Sequence, residues 1–146
     1  MAKRVVEEKI QITGNTSGIT STAVAAGAAL SEFLSYTIPN RSQLILNPTD
    51  FIALYLADAT GEIATQSRVV AAITDPMGRR ERVIADSDYT VFKEFQDATK
   101  KHYVGQRIVI PADFILKLKC APVTNSIATA NRRLALSATL VYETLD

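Results

Sequence analysis

The alternation of apolar and polar residues near the C-terminus constrains this chain more than any other feature. Residues 114–120 read FILKLKC, so Phe, Leu, Leu and Cys share one parity while both lysines have the other. Residues 134–142 alternate in a similar way. Because successive side chains of a β-strand point to opposite faces, both stretches predict strands with one buried face.

Turn-forming residues separate these stretches from other short apolar segments. The clusters NPTD (47–50), DATG (58–61) and DPMG (75–78) contain the residues that turns favour. The third cluster predicts a hairpin between residues 69–73 and 82–85. Further strands are predicted at 5–13, 32–38, 43–46, 51–56, 62–73, 89–95 and 107–110.

About ten short segments with no long helices between them predict an all-β fold. We expect a β-sandwich or jelly roll of about 8–10 short antiparallel strands, with an extended N-terminal arm. The segment 51–56, FIALYL, is apolar on both faces. It should therefore be covered on both sides, by a second layer or by a neighbouring subunit.

For two segments the sequence does not decide between a helix and a strand. Residues 23–34, AVAAGAALSEFL, combine helix-forming residues with a possible cap at Thr20, Ser21 and Thr22. A short helix or a strand would suit this segment. Residues 95–102 could hold a helical turn or continue as a strand.

We divide the 146 residues into an N-terminal strand and small-residue arm, 1–30, and a β-sandwich domain, 31–146. Residues 14–29, GNTSGITSTAVAAGAA, carry no charge and no aromatic side chain. The segment is either a mobile connection or an arm that becomes ordered against another subunit. In the second case Ile19 and Val24 are candidate partner contacts.

Catalytic chemistry is not indicated. His102 is the only histidine, which excludes a multi-histidine metal site, and we expect it on an exposed or half-exposed strand. Cys120 is the only cysteine and lies on the apolar face of a predicted strand, so we expect a core thiol. No phosphate-binding loop or nucleophile elbow is present. The sequence therefore predicts a protein that is not an enzyme and has no cofactor or metal.

The charge pattern favours a protein partner. The net charge is only +1, so neither nucleic acid nor a membrane is an expected partner. Arg79, Arg80 and Arg82 form the densest charged cluster, which is either a solvated hairpin tip or a contact for an acidic patch on a partner. Arg132 and Arg133 weakly support such a contact. No secretory leader is recognisable at the N-terminus, where glutamates interrupt the apolar residues.

The pattern I-P-x4-L-x-L occurs twice, as IPNRSQLIL at 38–46 and IPADFILKL at 110–118. Its shared positions contain no ligand group. Proline fixes φ at a strand edge or turn, and the following L-x-L begins an alternating core face. We expect two strands, one in each half of a sandwich, that enter the core in the same way.

These features resemble the jelly-roll proteins that decorate the capsids of tailed bacteriophages. The resemblance rests on YTIPNRSQLILNP, QRIVIPADFILKLK, FIALYLA, GNTSGITSTAVAAGAA and LALSATLVYETL. It implies a non-catalytic auxiliary or cement subunit in the virion, at the capsid surface, made in the host cytoplasm. It also implies a homo-oligomer, with a trimer favoured, that binds the major capsid protein and stabilises the shell.

The alternative function is a carbohydrate- or receptor-binding jelly roll with its ligand held by loops at one end. The chain has no tryptophan, which weakens that alternative. A partial aromatic platform could come from Tyr36, Tyr55, Tyr89 and Tyr103.

Overall fold

The computed structural model describes residues 3–13, 19–62, 66–92, 102–123, 126–128 and 132–145. Within these ranges the chain forms β-strands and a 3-10 turn at Tyr89–Val91, and no α-helix. The strands are β1 (Lys3–Thr13), β2 (Ile19–Ser21), β3 (Ser31–Thr37), β4 (Ser42–Leu46), β5 (Phe51–Leu56), β6 (Ser67–Thr74), β7 (Glu81–Asp88), β8 (His102–Tyr103), β9 (Ile108–Ile110), β10 (Ile115–Pro122) and β11 (Arg132–Leu145).

The strands form two antiparallel sheets. The β10 sheet has the order β2-β3-β10-β6-β7. The β11 sheet has the path β8-β5-β11-β4-β9, and β1 pairs with β11 outside that path. The predicted hairpin is confirmed, since β6 and β7 are adjacent and antiparallel.

Two of the strand positions in the β11 sheet are interrupted. β4 and β5 both pair with β11. Because β1 pairs with the same residues of β11, β4 and β5 lie along the other edge of β11. Residues 47–50 loop out between them. β9 and β8 pair with β4 and β5 in the same way. Counted by position, the sheet is therefore β1, β11, β4/β5 and β9/β8.

With β3, β10, β6 and β7 opposite, these positions make the eight-stranded double sheet of a jelly roll. The all-β sandwich prediction is thus confirmed. β2 is an additional short strand on the outer edge of β3.

The core lies between the sheets and contains the side chains that alternation predicts. Leu116, Leu118 and Cys120 on β10 are buried, while Lys117 and Lys119 on the other face are only half-buried. On β11, Leu134, Leu136 and Ala138 are buried. At about 1.5–3 kcal/mol for each large apolar side chain, this interior is the main source of stability.

The strand FIALYL divides its side chains between two environments. Ile52, Leu54 and Leu56 are buried in the core, and Ala53 on the outer face is also buried. Phe51 and Tyr55 on the outer face are half-buried. The second sheet supplies the inner cover that the sequence predicted, whereas cover by a neighbouring subunit stays a prediction.

The repeated I-P pattern marks two crossings between the sheets. Pro39 lies in the turn from β3 to β4 and Pro111 in the turn from β9 to β10, and Ser42 and Phe114 donate to the carbonyls of these prolines at 3.2 and 3.4 Å. Two residues after each proline, Arg41 and Asp113 have φ of 62° and 68°.

The two crossings also contact each other. The Ile38 N–H donates to the Phe114 carbonyl at 2.9 Å, and the Asp113 N–H donates to the Ile38 carbonyl at 3.0 Å. Ile38 and Ile110 are both fully buried. One strand of each sheet therefore enters the core in the same way, as the sequence predicted, and the repeat is a structural feature.

The helical alternative for residues 23–34 is wrong. Val24 pairs as an isolated bridge with Ile127, and β3 begins at Ser31. Between them Gly27 has a φ of +77°, which a right-handed helix does not allow. Tertiary pairing overrides the helix propensity of the alanines here.

The predicted strand at 89–95 is wrong over its described part, because Tyr89–Val91 forms a 3-10 turn. The buried Tyr89 hydroxyl accepts the Leu56 N–H at 2.8 Å and lies 3.4 Å from the Leu54 carbonyl, to which it donates. These bonds fix the turn against β5. Residues 93–101, which include most of the open segment 95–102, lie outside the described residues.

A buried carboxylate holds the interruption between β4 and β5. The Asp50 side chain is 2% exposed, and its Oδ1 accepts Ser137 Oγ of β11 at 2.8 Å and Lys9 Nζ of β1 at 3.0 Å. Its Oδ2 accepts the Asn47 N–H at 2.8 Å. The Ser137 hydroxyl in turn accepts the Phe51 N–H at 3.1 Å. Side-chain bonds thus replace the ladder bonds that the loop removes.

Replacing this carboxylate should destabilise the fold. We expect Asp50→Ala to lower the free energy of unfolding by about 2–4 kcal/mol, since hydrogen bonds to charged groups are worth about 1.5–3 kcal/mol each and their buried partners stay unsatisfied. Urea unfolding followed by circular dichroism measures the change. Asp88→Ala, at an exposed aspartate, is the matched control and should stay within about 0.5 kcal/mol of wild type. Equal stability of the two variants would contradict the role of Asp50.

The same site predicts a pH dependence. Burial alone would raise the pKa of Asp50, but hydrogen bonds from Asn47, Ser137 and Lys9 and the charge of Lys9 lower that pKa below its usual value. An unfolded aspartate has a pKa of about 3.9, so the stabilisation is fully present above that pH. It is lost as the pH falls through the lower pKa of the folded state. The stability difference between wild type and Asp50→Ala should therefore shrink as the pH is lowered below about 4. A difference that stays constant over this range would contradict the assignment.

Candidate assembly surfaces

His102 occupies a packing position in the described part of the chain, where no group of three or more His, Cys, Asp or Glu residues could hold a metal ion. It is half-buried on β8, as predicted, and its ring lies 5.0 Å from that of Phe92. Burial lowers the pKa of His102. The imidazole is therefore disposed toward its neutral form and packs as part of a ring pair.

Cys120 is a core thiol, as predicted. Its side chain is fully buried on the inner face of β10. Burial raises the pKa of Cys120 to about 12, although the charge of Arg132 lowers it in part. Because the thiolate is the reactive form, Cys120 is unsuited to nucleophilic chemistry.

The arginine hairpin tip, residues 75–82, is a well-ordered turn between β6 and β7. Asp75 Oδ1 accepts the Arg79 N–H at 2.7 Å, and the Gly78 N–H donates to the Asp75 carbonyl at 3.0 Å. Gly78 has a φ of +72°, which suits its position in the turn. The backbone of the tip is therefore fixed by its own hydrogen bonds.

The charges of this tip point to solvent. Arg79, Arg80 and Arg82 are exposed, and no ion pair among the described residues involves them. Glu81, which interrupts the arginines in the sequence, pairs with Lys119 on the outer face of β10. The structure brings the three predicted arginines together, while their role as partner contacts stays a prediction.

Met77 at the same tip is 71% exposed, and sequence reasoning missed it. An apolar side chain inside a Pro-x-Gly turn has nothing to pack against in its own hairpin, and this was the available signal. The tip thus combines a flexible apolar side chain with three cations. This composition fits a partner surface that is acidic around an apolar depression.

Arg132 and Arg133, the first two residues of β11, differ in their surroundings. Arg132 is buried and donates to the carbonyls of Phe33, at 2.7 Å, and Thr22. It thereby ties the start of β11 to the other sheet. Arg133 lies 4.4 Å from the centre of the Tyr55 ring. The weak support that these residues gave to a partner contact is therefore withdrawn for Arg132.

The predicted N-terminal contacts lie in different surroundings. Ile19 belongs to β2 and pairs with Tyr36 of β3. Val24 is 4% exposed and belongs to the core of its own chain. Residues 14–18 of the predicted arm lie outside the described residues. Whether this segment contacts another subunit stays a prediction, and Val24 could take part only if it left the core.

An aromatic platform for a carbohydrate is not formed by the four tyrosines considered above. Tyr36 and Tyr89 are buried in the core, and Tyr55 is covered by Arg133. Of the four, Tyr103 alone is more than half exposed, and its ring contacts Phe51 edge-on at 6.4 Å. These positions give the carbohydrate-binding alternative no structural support.

A depression of about 370 Å³ lies beside the ends of β1 and β11. Its lining includes Val5, Val141 and Tyr142, with Glu143 and Arg41 as the charged members. The Tyr142 hydroxyl donates a hydrogen bond to Glu8 at 3.2 Å, and this hydrogen bond raises the pKa of Tyr142.

Among the described residues, no helix has the length and hydrophobicity needed to cross a membrane.

Comparison with solved structures identifies the fold. The chain is similar to VP17, a capsid protein of bacteriophage P23-77, with a TM-score of 0.71 over 99% of this chain and 100% of that chain. It is also similar to the VP16-VP17 complex of the two major capsid proteins of the same phage, with a TM-score of 0.68 over 92% and 98% of the chains. The sequence identity is 6% in both cases.

No protein-family model matches the sequence, and no curated protein matches it either. At 6% identity the structural similarity concerns the fold and does not by itself transfer a function. The chain is therefore a jelly roll of the kind found in these capsid proteins.

Proposed function

We propose that this protein is a non-catalytic structural subunit of a bacteriophage capsid. The observation that carries the proposal is the match to capsid proteins of phage P23-77 over nearly the whole length of both chains. The chemistry of the described residues supports it, because the Cys120 thiol is buried and the Asp50 carboxylate accepts structural hydrogen bonds from Lys9, Asn47 and Ser137. A chain of this kind is suited to making contacts.

Its partners are copies of itself and a second capsid protein. The arginine hairpin tip supplies the contact to the second protein, since guanidinium groups pair well with surface carboxylates. Met77, exposed in the same turn, adds an apolar contact beside the charges. A homotrimer is the oligomer that the resemblance to decoration proteins implies.

The proposal includes a position in the virion. As a decoration subunit the protein is made in the host cytoplasm and sits on the capsid surface, where it stabilises a shell built by another protein. As a lattice subunit it builds the shell itself. The two P23-77 proteins are described as major capsid proteins, which suggests this second position for them. The order of assembly separates the two positions, because a shell cannot close without its lattice subunit, whereas a decoration subunit binds a shell that has already formed.

The first test is the composition of purified particles. We expect the protein to co-sediment with virions of the phage that encodes it through a density gradient and to resist removal by moderate salt. Quantitative mass spectrometry of the same particles gives its copy number relative to the shell protein. Particles that form without the protein and bind it afterwards would identify a decoration subunit. Absence of the protein from purified virions would overturn the proposed function.

The second test concerns the arginine hairpin tip. Arg79→Glu with Arg80→Glu should weaken binding to particles at least about tenfold, because each reversed charge meets carboxylates instead of pairing with them. Arg107→Glu, with Arg107→Gln as a charge-neutral comparison, changes an exposed arginine between β8 and β9 and serves as the matched control. Co-sedimentation over a range of protein concentrations measures the affinities. Equal loss in the control would show a general charge effect and would exclude a specific contact at the tip.

A further inference from the structure

The outer edge of β1 over residues 3–12 is the longest backbone edge without a ladder partner among the described strands of the β11 sheet. β1 has 11 residues and, within the described ranges, its ladder partner is β11 alone. An edge strand carries a row of N–H and C=O groups that can pair with another strand. Natural proteins usually protect such an edge with charged side chains, and β1 carries five of them beside Val5, which is 61% exposed. A partner strand must therefore match these charges.

The first residues of β1 also extend beyond the rest of the sheet. The last pair between β11 and β4 is Tyr142 with Ser42, whereas β1 continues to the pair of Lys3 with Leu145. Residues 3–5 and 143–145 therefore form a two-stranded ribbon without β4 beside it. A two-stranded ribbon is marginally stable in water, so a further strand would stabilise it.

The charges of β1 select one register for pairing with a second copy. A two-fold axis perpendicular to the sheet keeps each residue and its symmetry mate on the same face of the sheet. Because residues that face each other across two strands also share a face, one residue of β1 must face its own symmetry mate at the axis. With the axis at Val5, the two Val5 side chains face each other. Lys3 of each copy then lies opposite Glu7 of the other copy.

Neighbouring registers place like charges together. An axis at Val6 puts Arg4 opposite Glu8 but also Lys3 opposite Lys9, and an axis at Arg4, Glu7, Glu8 or Lys9 puts that charged residue opposite itself. Axes from Ile10 onward bring no opposite charges of β1 together. Like charges directly opposite one another in a sheet are destabilising. The register at Val5 thus joins opposite charges and covers the exposed valine.

We propose that two copies of this chain associate through antiparallel pairing of β1 with β1, with the two-fold axis at Val5. The contact joins the two β11 sheets into one continuous sheet. It is isologous, so within a trimer-based assembly it would link one trimer to another. This contact does not depend on the proposed capsid function, because it is a property of the isolated chain in solution.

Disulfide trapping tests the register. Cys120 is the only natural cysteine and is buried, so an introduced surface cysteine dominates the reactivity of the folded protein. We expect Val5→Cys to convert most of the protein to a disulfide-linked dimer on mild oxidation, since facing strand residues have Cα atoms about 4.5–5.5 Å apart. Non-reducing electrophoresis measures the dimer.

Two control variants distinguish this contact from collisions and from another register. Val83→Cys changes a valine of similar exposure, 53%, on the edge strand β7, and should give little dimer. Val6→Cys should also give little dimer. In this register the two introduced cysteines lie diagonally across the contact, beyond the reach of a disulfide. Equal crosslinking of Val83→Cys, or crosslinking of Val6→Cys in place of Val5→Cys, would overturn the proposal.

A charge exchange tests the same pairing without a covalent bond. Lys3→Glu should weaken dimerisation at least about tenfold, because the introduced carboxylate would face Glu7 of the second copy. Adding Glu7→Lys should restore it, since the opposite charges then face each other again. Sedimentation equilibrium measures both dissociation constants, with circular dichroism to verify folding. A double variant no tighter than the single one would overturn the register. Loss of particle binding with dimerisation intact would instead count against the capsid function alone.

Discussion

The buried carboxylate of Asp50 is the interaction on which the β11 sheet depends. It joins β1 through Lys9, β11 through Ser137 and the looped segment through the Asn47 N–H. Residues 47–50 also hold the connection that follows β8, because the Val104 N–H donates to the Asp50 carbonyl at 2.9 Å. An uncompensated carboxylate in this position would be costly, so the loop, both neighbouring strands and the β8–β9 connection are ordered together.

This arrangement explains how short strands can pair with one long strand. β11 has 14 residues, and it pairs on one edge with β1 and on the other with β4 and then β5. The loop at 47–50 absorbs the extra residues, so that Leu44 and Leu46 before it and Ile52 and Leu54 after it all remain buried. Core packing is therefore continuous although the hydrogen-bonded ladder is not.

The fold was more predictable from the sequence than the surfaces. The alternation at 114–120, the turn clusters and the I-P repeat depend on local chemistry, and each corresponds to a feature of the structure. The segment 23–34 was ambiguous because its outcome depends on a bridge from Val24 to Ile127, far along the chain. Asp50 and Arg132 were not recognised as buried, since their partners lie on strands distant in sequence. The arginine cluster was found because its residues are adjacent, whereas the free edge of β1 becomes visible only when the strand order is known.

The two proposed surfaces differ in symmetry, and this difference has a consequence for assembly. The arginine hairpin tip presents three exposed cations, so it requires a partner surface of opposite charge and cannot be satisfied by another copy of itself. The β1 edge is self-complementary at Val5, so an identical edge satisfies it. A subunit with one contact of each kind can pair with a copy and still bind a different protein. Repeated over a surface, such contacts extend a lattice, whereas two-fold pairing alone would end at a dimer. On these two proposals, a jelly roll whose interior is filled by packed side chains acts through a strand edge and a basic hairpin tip.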